Sequence, residues 1–137
     1  MRARAAPTVL TPHAGEAAAL LGAAREEVEA RRLDAVRELA GRYGATVLLK
    51  GSTTLVADPG AGAPVRVNPT GTPWLATAGS GDVLSGLAGS LLAAGLAARD
   101  AASAAAYLHG LAARRAARGR RWRRTTWRRR CRARGGT

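Results

Sequence analysis

Apolar residues along this chain of 137 fall into two rhythms. Between residues 25 and 43 they return every three or four positions, at Leu33, Val36, Leu39, Ala40 and Tyr43. That spacing predicts a helix with one buried face, stopped at Gly44. Elsewhere they form short unbroken runs rich in branched side chains. Residues 46–49 and 54–57 are the clearest of these and predict two strands. Lys50-Gly51-Ser52-Thr53 makes the turn between them, and Asp58-Pro59-Gly60 ends the second.

The remaining elements follow from the same signals. Residues 8–10 predict a strand end, and Thr11-Pro12-His13-Ala14-Gly15-Glu16 a loop leading into a short helix over 17–21, closed by Gly22. Residues 65–67 predict an extended piece running into a loop over 68–79, which holds Pro69 and Pro73. An apolar helix is expected over 83–94, ended by Gly95. Asp100 is expected to cap a last, alanine-rich helix of about sixteen residues. Strands alternating with helices predict an α/β layer fold without an internal repeat. From about Arg114 the periodicity dissolves. Residues 120–134 show none, and Trp122 and Trp127 stand among arginines, so disorder is expected there.

Composition narrows the picture. The length allows at most one ordinary domain, and much of the 47% hydrophobic share is alanine, which brings little area per residue. No run of eighteen strongly apolar residues exists and no signal peptide opens the chain, so a soluble, cytoplasmic protein without membrane contact is expected. The lone Cys131 excludes an internal disulfide and any multi-cysteine metal site. Its basic neighbours favour a thiolate without implying a role. The formal charge of +13 suggests nucleic acid until it is located. Twelve of the 22 basic residues lie within 114–137, which holds no acid, so the remaining ten face all nine acids and the main body carries +1.

Three segments carry candidate chemistry. In Ala78-Gly79-Ser80-Gly81-Asp82-Val83 a glycine-rich turn opens into a helix, whose first N–H groups lack intrahelical partners and suit an anion such as phosphate. Asp82 could take a proton from a substrate hydroxyl and aim its oxygen at phosphorus. The same residues fit a plain helix cap by Ser80 and Asp82 equally well. Lys50-Gly51-Ser52-Thr53-Thr54 offers a cation, a glycine and hydroxyls to a nucleotide, although its spacing is not that of a P-loop. Taken bare, a simple hairpin turn fits it better. His13 could bind a polar substrate group, but a lone histidine is more often structural or solvent-exposed.

In order and together, Leu10 to Glu16, Leu49 to Thr54, Asn68-Pro69-Thr70-Gly71 and Leu75 through Gly86 resemble the ADP-dependent NAD(P)H-hydrate dehydratases of the ribokinase-like superfamily. The resemblance covers roughly residues 6–117. It implies a ribokinase-like α/β fold, present as the carboxy-terminal half of the central sheet with its flanking helices. It also implies repair of hydrated NADH or NADPH, with ADP as phosphoryl donor, Mg²⁺ alongside it, and AMP and phosphate as products. Asp82 matches the catalytic aspartate and, with His13, the hydrate-binding positions. Lys50, Gly51, Ser52, Thr53, Thr54 and Gly81 match the nucleotide-binding positions, and Gly79, Ser80 and Gly81 the anion hole. No residue is assigned as a metal ligand.

The chain departs from the family pattern in places. Proline is commoner where Ala14 stands, and asparagine-proline-glycine where Thr72-Pro73-Trp74 stand, so the bulk of Trp74 should reshape the loop before the anion hole. Family members carry a long amino-terminal half, and its lack here predicts exposed strand edges and leaves room for a homo-oligomer or a partner chain that supplies it. Residues 118–137 are expected to lie outside the domain of residues 1–117. Their arginine, tryptophan, cysteine and glycine share G- and C-rich codons, as a shifted reading frame of a GC-rich gene would give. Three other readings stay open at this point: a related small-molecule alcohol kinase, an inactive fragment, and a nucleic-acid-binding protein whose tail tryptophans stack on bases.

Overall fold

The computed structural model describes residues 5–133, with side chains described as far as Arg118. In chain order the elements are β1 (Val9–Leu10), α1 (Ala14–Leu21), α2 (Arg25–Ala30), α3 (Arg32–Tyr43), β2 (Thr46–Leu49), β3 (Thr54–Ala57), β4 (Arg66–Asn68), a 3₁₀ turn (Pro73–Ala76), α4 (Ser80–Ala93) and α5 (Ala98–Ala133). The sheet order is β1-β2-β3-β4. β1 runs parallel to β2 through a helical crossover, and β3 and β4 follow as antiparallel neighbours.

Helices cover both faces of this sheet, which explains why β2 and β3 are apolar at successive positions rather than alternate ones. Val47, Leu49, Leu55 and Ala57 point to one side and pack with Val36, Leu39 and Ala40 of α3, Ala17 of α1 and Val28 of α2. Leu48 and Val56 point to the other and meet Leu84 and Ala88 of α4 and Ala102, Ala105 and Ala106 of α5. The register sets Leu48 opposite Val56, so this second face is seeded by a cross-strand pair. Each large side chain buried here contributes ~1.5–3 kcal/mol. The second face relies on alanines, which contribute less area and let α5 approach closely.

Several expectations need correction. The single helix over 25–43 is two helices, broken at Arg31, whose backbone sits at φ −129°, ψ 45°. The break leaves Leu33, expected on the buried face, 45% exposed. α4 begins at Ser80, three residues earlier than expected. Asp100 does not cap α5. It lies inside the first turn and pairs with Arg66 at 2.6 Å. The backbone of α5 runs from Ala98 to Ala133, well past the sixteen residues expected of it. Alanine and arginine are both strong helix formers, and no proline interrupts them. Among the described residues no helix is long and apolar enough to cross a membrane.

Candidate functional site

The loops after β1 and β2, the start of β3 and the loop after β4 all emerge at one end of the sheet. A cavity of about 760 Å³ opens there, closed on the far side by the start of α4 and by α5. Ligands of α/β sheets favour this location, outside the carboxyl ends of parallel strands.

His13 enters the site as the N-cap of α1. Its Nδ1 accepts from the Glu16 N–H at 3.0 Å, while a Glu16 carboxylate oxygen accepts from the His13 N–H at 2.7 Å. This reciprocal pair is a capping box with histidine in the usual serine position. Because Nδ1 accepts, the neutral ring carries its proton on Nε2. The Glu16 carboxylate also lies 3.6 Å from the Lys50 ammonium, so it ties the first segment to the second. The His13 backbone bond does most to hold the Glu16 carboxyl below its ordinary pKa; burial, the next largest influence, opposes it, and the charges of Lys50 and His13 add to the lowering.

Lys50 is pinned through its backbone, its N–H donating to the Pro12 carbonyl at 2.8 Å. Its Nζ then lies against the start of α4, where a Cβ built on Gly81 would fall 3.2 Å from it. A side chain at position 81 would therefore crowd the ammonium. Gly79 is the N-cap of α4 in the left-handed region at φ 84°, and no side chain caps this helix. Ser80 instead donates its hydroxyl to the Leu75 carbonyl at 2.5 Å. The plain helix-cap reading of Ser80 and Asp82 is thereby removed. Among the described residues, no protein acceptor pairs with the N–H groups of Gly81 and Asp82. A cation and a bare helix start thus face one space, which suits a phosphate.

The cavity brings together His13, Lys50, Gly51, Ser52, Thr54, Ser80 and Gly81. Thr53, Gly79 and Asp82 are not among its lining residues. Asp82 is exposed and has no hydrogen-bond or ion-pair partner among the described residues. At about 100° per residue it lies roughly 200° round α4 from Leu84, which faces the core. Asp82 therefore sits on the helix face opposite the core, exposed and outside the lining of the cavity.

Other lining residues were not singled out as site residues from the sequence. Glu29 and Arg25 come from α2, Asn68 from the end of β4, Thr72 from the loop that follows, and His109 from α5. Burial pulls the His109 imidazole below its ordinary pKa, which favours the neutral ring. The loop itself is latched from two sides. The Asn68 side chain accepts from the N–H and hydroxyl of Thr70. Arg114 of α5 donates to the carbonyls of Pro69 and Thr70, both at 2.9 Å. Arg114, where the periodicity dissolves, thus still belongs to the folded body. Trp74 lies in the 3₁₀ turn with half its surface exposed, so its bulk is accommodated outward.

Comparison with known proteins gives this geometry a context. A family model described as NAD(P)H-hydrate dehydratase matches residues 1–128. The chain is 58% identical over 110 residues to a bifunctional NAD(P)H-hydrate repair enzyme of Mycobacterium leprae, covering 80% of this chain and 22% of that protein. It is 54% identical over 105 residues to an ADP-dependent (S)-NAD(P)H-hydrate dehydratase of Neisseria meningitidis, covering 77% of this chain and 35% of the relative. The crystal structure of an ADP/ATP-dependent NAD(P)H-hydrate dehydratase from Bacillus subtilis, co-crystallised with ATP and Mg²⁺, superposes with a TM-score of 0.74 at 33% identity. That match covers 81% of this chain and 39% of the Bacillus chain. The fold is therefore the expected ribokinase-like one, in part. The chain spans between about a fifth and a third of the length of these two curated relatives. It belongs to the NAD(P)H-hydrate dehydratase family.

Proposed function

We propose that this chain forms the nucleotide- and hydrate-binding part of an ADP-dependent NAD(P)H-hydrate dehydratase, acting in the cytoplasm on hydrated NADH or NADPH. One observation carries the reading: Lys50 meets Gly81 at an uncapped helix start, within a cavity large enough for a nucleotide's phosphates. Residues 1–117 constitute the domain, and residues 118–137 stand outside it.

In this reading Lys50 to Thr54 surround the nucleotide, and the amides of Gly81 and its neighbours at the start of α4 hold the phosphate to be transferred. Asp82 accepts the proton of the hydrate's hydroxyl as that oxygen attacks phosphorus, and AMP leaves. The phosphate then departs from the ring with the hydrate oxygen, a proton leaves the adjoining ring carbon to water, and the double bond of the reduced cofactor is restored. His13, with its proton on Nε2, can donate to a polar group of the hydrate.

Mg²⁺ fits as a companion of ADP rather than as a resident ion. Among the described residues no group of three acidic, histidine or cysteine side chains could cage a metal. Mg²⁺ commonly leans on substrate phosphates and one or two carboxylates, and Asp82 is the acid at this helix start. When bound, the ion would neutralise phosphate charge.

The reading makes two demands. The chain should bind ADP, measurable by calorimetry, and Lys50→Ala should weaken that binding. Asp82→Asn should keep ADP affinity while hydrate-dependent AMP release falls ~10²–10⁴-fold. Absence of ADP binding by the unaltered chain, or AMP release that survives Asp82→Asn undiminished, would overturn it. Should AMP release require a homo-oligomer or an added amino-terminal half, ADP binding still decides the nucleotide assignment.

A further inference from the structure

Three backbone carbonyls at the turn after β2 converge on one side chain that the sequence motifs do not include. The Arg32 Nη2 donates to the carbonyls of Leu49 at 3.4 Å, Lys50 at 3.2 Å and Thr53 at 3.0 Å. Its Nη1 reaches the Glu29 carboxylate at 3.2 Å. Only 19% of the Arg32 side chain is exposed. A half-buried cluster of carbonyls without donors would be costly, and a planar guanidinium with five N–H groups can serve it from one side.

Gly51 fits the same arrangement. A Cβ at that position would stand 2.5 Å from the Arg32 Nη2. The glycine of the lysine-glycine turn therefore clears the guanidinium. On the other side of the turn, a Cβ on Gly71 would stand 2.6 Å from the Ser52 carbonyl oxygen. The turn is thus clamped between α3 and the loop after β4, and the Lys50 carbonyl is held by Arg32 while its N–H is held by Pro12.

We infer that Arg32 is a positioning residue for the nucleotide site: it fixes the backbone of residues 49–53 so that the Lys50 ammonium is delivered to the start of α4. The inference rests on the nucleotide reading of that turn for its consequence, but its structural half can be tested alone.

The experiment uses the full chain with Arg32→Met and Arg32→Lys, and Arg31→Ala as an exposed neighbour. Backbone amide exchange is followed at residues 50–54 and at the core strands, and ADP affinity is measured in parallel. In Arg32→Met, exchange at 50–54 should accelerate about tenfold or more while β2 and β3 hold, and ADP affinity should fall comparably, as expected for losing bonds to a charged donor. Millimolar guanidinium, far below denaturing levels, should restore both. Arg32→Lys, which keeps one cationic donor, should lie between, and Arg31→Ala should match the unaltered chain.

Unchanged exchange and affinity in a folded variant would overturn the inference. So would acceleration spread evenly over the whole sheet and unrelieved by guanidinium, since that is loss of fold rather than of position. If the unaltered chain binds no ADP, yet turn exchange still responds to Arg32→Met and to guanidinium, the nucleotide reading fails and the clamp on the turn stands.

Discussion

The turn at Lys50 to Thr53 and the helix start at Gly79 to Asp82 contribute to one site, but they are held in opposite ways. The turn is over-determined. Arg32 binds its carbonyls, Pro12 its first N–H, and Gly71 abuts Ser52. The helix start is left open: its N-cap is a glycine, no side chain caps it, and Asp82 stands exposed. A cation that must be delivered to one place benefits from a rigid backbone. Amides that must bind an incoming anion cannot be satisfied in advance by the protein's own side chains. The difference pairs a fixed backbone at the half that presents charge with an uncapped helix start at the other.

Alanine at two glycines separates these regimes. Gly71→Ala drives a Cβ into the Ser52 backbone, where no side chain can swing aside. It should cost ~1–3 kcal/mol by overpacking, read from the midpoint of denaturant unfolding, and Gly71→Asn should cost at least as much. Gly79→Ala meets nothing within 4 Å, but it places a Cβ on a residue at φ +84°. That should cost ~1–2 kcal/mol, and Gly79→Asn should recover part of it because asparagine tolerates the left-handed region. The opposite responses to asparagine test whether contact limits the turn and backbone handedness limits the helix start. Equal losses at both sites in both variants would erase the distinction.

Much of this was legible in the residues, for reasons that also mark where legibility stops. Thr46 to Leu49 and Thr54 to Ala57 are buried throughout, so their apolar runs identify strands without any knowledge of partners. Gly44 stops α3 by its own conformation, at φ 59°. The glycine-rich, uncapped start of α4 is a local pattern as well. Arg32 is different, because only the break at Arg31 and the fold of α3 onto β2 bring a guanidinium beside a turn eighteen residues away. Leu33 was misplaced by the same break. His13 supplied a candidate ligand by its position, but its bond to Glu16 shows that it also builds the helix on which the site rests. Gly110 was passed over for the same reason as Arg32. A Cβ there would run into the Thr70 hydroxyl, a contact between α5 and a loop forty residues earlier.

Glu16 gives the smallest effect and bears on how the two halves communicate. Its carboxylate accepts from the His13 N–H and lies beside Lys50, and these contacts depress its pKa. The folded state therefore holds this proton less tightly than the unfolded chain does. Stability from Glu16 is present in full above its ordinary value of 4.5 and drains away as pH falls through the lower folded value. Glu16→Gln keeps a side chain able to accept the His13 bond but removes the charge that faces Lys50. Half of the Glu16 side chain is exposed, so solvent screening limits the gap between the two proteins to ~0.5 kcal/mol near neutral pH. Urea titrations of both should show that gap closing as the solution is acidified below about pH 4.5. High salt should narrow it at neutral pH, since the pair is only partly shielded from ions. A gap that is constant with pH would mean that Glu16 acts through the helix cap alone and that the first segment does not steer Lys50 by charge.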